Sequence, residues 1–195
     1  MTSFGSESGL VSGAGVGVAD SIDDKVASNF LKSPAPAGAA ISKIFAASIG
    51  DMVLVLSRSP AHKHFSLSDI EWMVLPPASV GQFYVAEVAD EERGLRAPIA
   101  LITWAYVSTE VDARLHGSIG QALRLLPDEW NSGDIAWLID AAGDAIGVGR
   151  ALYWLAAGPF KERDLKMIVQ RVDGARTVNT LAHFLAERAA ASKGS

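Results

Sequence analysis

The sequence predicts an α/β (α+β) fold, with a central mixed sheet flanked by helices. Three observations carry this. Segments with helical spacing alternate with short strand-like runs from residue 41 onward. Two runs, 97–107 and 134–140, are nearly continuous in apolar residues, as strands covered on both faces are. The chain has 195 residues, 49% hydrophobic and 20% charged, which suffices for one core without staples.

The elements follow in order. Residues 1–40 are rich in Gly, Ser and Ala and bury too little to offset their ordering entropy, so they are expected to form a flexible extension. Within it, 20–31 has the pattern of a short helix. Gly13, Gly15 and Gly17 look like a phosphate loop but follow no strand. The domain is expected over 41–188, with a fraying tail over 189–195. Ile44, Ile49, Met52, Val53 and Leu56 form a helical stripe, which ends at Ser59 because the residue before Pro60 avoids the helical region. A polar loop over 61–65 follows. Ser66 and Ser68 cap a short turn that Pro76 and Pro77 are expected to stop. Residues 82–88 alternate as a strand, 90–94 turn, and 97–107 form an inner strand. Ser108 caps a helix towards His116. A turn over 130–133 leads into a strand over 134–140, expected to end at Asp140. A helix over 144–155 and closing strands over 165–172 and 177–184 complete the domain, the last of them open to a helical reading. Trp104, Trp130, Trp137 and Trp154 are expected in the core or at its edge.

Composition narrows the chemistry. With no cysteine, disulfide scaffolds, thiolate metal sites and cysteine nucleophiles are excluded. No His, Asp and Glu spacing suggests a metal site. A formal net charge of -5 argues against a protein that coats nucleic acid. No run of 18 apolar residues suggests a transmembrane segment, and nothing resembles a secretory signal, so a cytoplasmic location is expected.

Three constellations carry candidate chemistry. His62 follows a helix-ending proline, in a loop held by a rigid element. It titrates near neutrality and can take a proton from an attacking amine or hydroxyl. Asp140 ends an apolar strand, where a carboxylate can orient a histidine and stabilise its imidazolium. Gly143, Gly147, Gly149 and Arg150 lie at a strand-to-helix junction, where backbone amides can face the phosphate of an acyl donor; close helix–sheet packing selects glycine equally well.

Taken in order, Ser59-Pro60-x-His62, Val74-Leu75-Pro76, Gln82-Phe83-Tyr84, Trp104-Ala105, Trp130-Asn131-Ser132-Gly133-Asp134 and Trp137-x-Ile139-Asp140 resemble the toxin-activating lysine acyltransferases that work on RTX protoxins. The resemblance covers roughly residues 41–184. It implies a GNAT-like acyltransferase fold and transfer of a fatty acyl group from acyl carrier protein to internal lysine ε-amines of an RTX-type protoxin. It implies His62 and Asp140 as catalytic residues, Ser59 as their support, a homodimer, and acyl carrier protein as donor substrate with no tightly bound cofactor. An acyl-CoA-dependent N-acyltransferase and a non-catalytic binding module for an exported partner are the alternatives. The chain departs from the family at Met73, where an Asn is common, and after Asp140, where Ala141-Ala142-Gly143 replaces a longer Trp-Ile-Ala-Pro-Phe segment.

Overall fold

A computed structural model describes residues 43–193, except 91, 120–123 and 172. The extension expected over 1–40, with its helix and its glycine loop, lies outside the described residues. Helix α1 (Lys43–Arg58) is followed by a 3₁₀ turn (Leu67–Asp69), α2 (Ile70–Met73) and α3 (Leu75–Val80). Strands β1 (Phe83–Asp90) and β2 (Leu95–Val107) form a hairpin, and α4 (Thr109–Gly117) and a second 3₁₀ turn (Pro127–Trp130) lead to β3 (Ile135–Gly143). Then come α5 (Ala145–Ala157), β4 (Leu165–Gln170), β5 (Arg176–Thr180) and α6 (Leu181–Lys193).

The sheet has the order β1-β2-β3-β4-β5. Its strands pair antiparallel except β3 and β4, which are parallel. A parallel junction needs a crossover connection, and α5 supplies it. Strand β2 shows why the sheet is covered on both sides. Ile102 and Trp104 join a core with Leu152 and Leu155 of α5 and Leu181 of α6. Leu101 packs with Met52, Val55 and Leu56 of α1, while Ala105 and Val107 pack with Val111 and Leu115 of α4. Alternate residues of one strand therefore face α5 and α6 on one side and α1 to α4 on the other. Asp112 ties α4 to the sheet. Its Oδ1 accepts from Trp137 Nε1 at 2.7 Å and Lys166 Nζ at 2.8 Å.

Several elements differ from expectation, each for a physical reason. The short helix after Ser66 ends at Met73, before the prolines as expected, but Pro76 and Pro77 also open α3, because the first turn of a helix has no use for their missing N–H groups. Strand β3 does not end at Asp140. Ala141, Ala142 and Gly143 continue to pair with β2. The expected strand over 177–184 divides into β5 and the start of α6. The tail expected over 189–195 is helical as far as Lys193, consistent with the high helix propensity of Ala189, Ala190 and Ala191. Ile44 is exposed, and Val55 takes the core position instead. The tryptophans follow expectation: Trp104, Trp130 and Trp137 are buried, and Trp154, half exposed at the core's edge, stacks on Tyr84 with ring centroids 4.3 Å apart.

The turn from β3 into α5 is tight. Gly143 has φ +112°, and a Cβ there would lie 2.2 Å from the Ile99 carbonyl oxygen. Within α5, a Cβ on Gly149 would meet open space. Gly143→Ala is therefore expected to cost about 2 kcal/mol or more. Gly149→Ala is expected to stabilise by about 0.4–1 kcal/mol. Denaturant unfolding of the two variants checks this; equal effects would contradict the packing described.

Candidate active site

The Ser59–His62 turn follows from the end of α1. Pro60 cannot continue the helix, and the chain folds back at once. Ser59 N–H donates to Leu56 O at 3.1 Å, and Ser59 O accepts from His62 and Lys63 N–H, each at 3.0 Å. This tight turn brings two side chains three residues apart into contact. The Ser59 hydroxyl lies 2.8 Å from His62 Nδ1. Ser59 is 6% exposed and the His62 side chain 10%, so both are held against the protein. The ring of Phe65 meets the imidazole edge to face, with centroids 5.3 Å apart.

Asp140 reaches the same place from the sheet. His62 Nε2 and Asp140 Oδ2 are 2.9 Å apart. The other oxygen, Oδ1, accepts from Ala141 N–H at 2.9 Å. A bulge makes the meeting possible. Thr103 pairs with Asp140 and the next residue, Trp104, pairs with Leu138, so Ile139 is an extra residue in β3. Leu138 belongs to the core under α5, whereas Ala142 belongs to the core under α1. An uninterrupted strand would put residues 138, 140 and 142 on one face. The bulge turns Asp140 over to the α1 side, where the His62 loop lies.

The structure brings Ser59, His62 and Asp140 together and gives the glycines another role. Asp144 caps α5, and its Oδ1 accepts from Ile146 N–H at 2.9 Å and Gly147 N–H at 3.0 Å. The amides expected to face an anion are thus taken by a carboxylate whose charge would oppose one. A Cβ on Gly147 would press on Ile99 and Ala100 at 3.0–3.2 Å, so this glycine serves close packing of α5 on β2. Gly149 and Arg150 lie further along α5, Arg150 exposed. These contacts give Gly143 and Gly147 turn and packing roles and lend no support to donor binding by Gly143, Gly147, Gly149 and Arg150. Met73 is buried in the α1 core, where it packs and orients nothing. Sequence reasoning passed over Phe65, Ile139 and Thr103. Of these only Thr103 left a signal, as the one aliphatic hydroxyl in the apolar run 97–107.

The hydrogen bonds fix the tautomer of His62. A neutral imidazole has one N–H and one lone pair. The carboxylate only accepts, so Nε2 carries the hydrogen and Nδ1 keeps the lone pair, to which the Ser59 hydroxyl donates. The imidazole is held above its ordinary value of 6.5, first by its hydrogen bond to Asp140, against the downward pull of burial, and further by that residue's charge. The arrangement can therefore accept a proton at Nδ1 and stabilise the resulting imidazolium.

The raised value also sets a pH dependence. The protonated pair stabilises the folded chain fully below about 6.5 and loses that contribution as pH rises through the higher folded value. The thermal stability gap between the native chain and His62→Gln is expected to shrink from about pH 6 to pH 8.5. A gap that widens over that range would contradict the pairing.

Comparison with known proteins identifies relatives of this chain. Residues 42–181 match the model of the RTX toxin acyltransferase family. The chain is 34% identical over 92 residues to the leukotoxin-activating lysine-acyltransferase LtxC of Aggregatibacter actinomycetemcomitans, covering 47% of this chain and 49% of that protein. It is 26% identical over 133 residues to LktC, a leukotoxin-activating lysine-acyltransferase of a Pasteurella haemolytica-like species, covering 68% and 67%. It is 27% identical over 136 residues to the protein-lysine myristoyltransferase HlyC of Escherichia coli, covering 70% and 73%. The match thus spans about half the length of LtxC and about two thirds or more of the other two. With most of its described domain inside the matched stretch, this chain belongs to the RTX toxin acyltransferase family.

Proposed function

We propose that this chain transfers a fatty acyl group from acyl carrier protein to lysine ε-amines of an RTX-type protoxin. The observation that carries the reading is the hydrogen-bonded series Asp140–His62–Ser59, which leaves a basic nitrogen at Nδ1. The activities named for the relatives, lysine acylation and protein-lysine myristoylation, supply the substrate class. Cytoplasmic action before export and a homodimer belong to the same reading and rest on the family resemblance alone.

The steps balance as general-base acyl transfer. A neutral lysine amine attacks the thioester carbonyl, forming the C–N bond. The free lysine ammonium, with an unperturbed pKa of about 10.4, first gives one proton to solvent to yield that amine, and its nitrogen becomes acidic again as the C–N bond forms. His62 Nδ1 takes the proton, relayed by the Ser59 hydroxyl hydrogen-bonded to it. Asp140 keeps Nε2–H oriented and offsets the imidazolium charge. The tetrahedral intermediate then expels the thiolate, which recovers the proton from the imidazolium. Amide and free thiol are the products. The glycine turn at the start of α5 has no part in this scheme, because Asp144 occupies its amides.

The test is intact-mass spectrometry of a lysine-containing RTX-type segment incubated with acyl carrier protein thioesters of several chain lengths. The native chain is expected to add one fatty acyl mass and His62→Ala none. Asp140→Asn is expected to be slower by about 10²-fold or more. Ser59→Ala is expected to be slowed but active, since water can replace a relay hydroxyl. Loss of all transfer in Ser59→Ala would make Ser59 the acyl acceptor and overturn its supporting role. Transfer from acyl-CoA but not from acyl carrier protein would overturn the donor.

A further inference from the structure

Among the described residues, two buried side-chain polar atoms lack a hydrogen-bond partner, and one of them is Thr103 Oγ1. Thr103 is 2% exposed. A buried hydroxyl without a partner is costly, and valine would fill the same space without that cost. The position of this hydroxyl suggests its use. Thr103 is the residue directly opposite Asp140 across β2 and β3. Opposed residues of an antiparallel pair share a face, with Cβ atoms about 4.5–5.5 Å apart. Leu101, two residues before it, belongs to the core under α1, which places Thr103 on that same side. The orphan hydroxyl is therefore carried by the residue paired with Asp140, on the same face of the sheet.

That carboxylate has capacity left. Oδ1 accepts one N–H from Ala141, and Oδ2 accepts one from His62. Each oxygen of an ionised carboxylate offers two lone-pair sites. The imidazole must also change its grip during a proton transfer, holding Asp140 tightly as imidazolium and loosely when neutral. A second donor keeps the carboxylate aimed during the loose phase.

We propose that Thr103 is a positioning residue for the His62–Asp140 pair, its hydroxyl donating to the Asp140 carboxylate while the imidazole is neutral. The proposal rests on the reading of that pair as the proton-transfer machinery. It has a consequence that packing alone lacks. The hydroxyl competes with His62 for the carboxylate, so it favours the neutral imidazole. Removing it leaves the carboxylate to lean on the imidazolium. Asp140 is the charged group that acts on His62 from the sheet, and Ser59 and Phe65 face the ring from its own loop.

The experiment is an NMR titration of the His62 imidazole in the substrate-free full chain, for the native protein, Thr103→Val and Thr103→Ser. Thr103→Val is expected to raise the His62 midpoint by about half a pH unit. Thr103→Ser is expected to restore it, and thermal stability of Thr103→Val is expected to equal or exceed that of the native chain. In the acylation assay, Thr103→Val is expected to lower kcat about tenfold with KM nearly unchanged, and Thr103→Ser to recover most of the loss. A His62 midpoint unmoved in Thr103→Val overturns the proposal whatever the activity does. If the native chain transfers no acyl group, the proposed function fails, and the titration still decides the role of Thr103.

Discussion

The hydrogen bond between His62 and Asp140 exists because β3 carries one residue more than the strand it pairs with. A carboxylate in a regular strand faces where the period of two sends it. Counting from Leu138, that direction is the core beneath α5, where an ionised side chain would be costly. The extra residue at Ile139 reverses the direction for Asp140 and for everything after it. The rest of the site is then set by the end of α1. Pro60 stops the helix, the turn through Ser59 folds back, and His62 arrives over the face to which the bulge has turned Asp140. Two independent local features, a proline stop and a bulge, thus converge on one contact.

The contact then determines the chemistry. A carboxylate at Nε2 leaves the imidazole only one way to be neutral, with its lone pair at Nδ1 against the Ser59 hydroxyl. The same carboxylate raises the proton affinity of the ring. A base is thereby held ready on a loop that contributes little to the core. The cores lie elsewhere, under α1, α4 and α5, and they hold the two walls of the site at a fixed separation. Asp112, with Trp137 and Lys166, does the same service away from the site by fastening α4 to β3 and β4.

Much of this was legible in the residues. The helical stripe ending at Ser59, the alternation through 82–88 and the apolar runs 97–107 and 134–140 each express a period that burial imposes on sequence. His62 and Asp140 were legible as candidates because a histidine after a helix stop and a carboxylate after an apolar run are uncommon placements. Their contact was not, because Asp140 looked like the end of a strand when it sits inside one. Nothing in Trp137-Leu138-Ile139-Asp140 announces a bulge; it arises from pairing with a strand about 35 residues away. The glycines at 143 and 147 were open to two readings for a related reason. Glycine permits close approach of either an anion or a neighbouring strand, and here Ile99 and Ala100 are the neighbours. Pro76 and Pro77 were legible as a stop but not as a start, because a proline that follows one helix can begin another.

The central claim is that Asp140 fixes His62 with its hydrogen on Nε2 and its lone pair on Nδ1. Nitrogen-15 correlation spectra of the imidazole, recorded above its titration midpoint, test this most directly. The account predicts a protonated, pyrrole-type Nε2 and an imine-type Nδ1 in the native chain, with the preference weakened in Asp140→Ala. A dominant Nδ1–H tautomer in the native chain would contradict it, since the base would then point at a carboxylate and the proposed route through Ser59 would be closed.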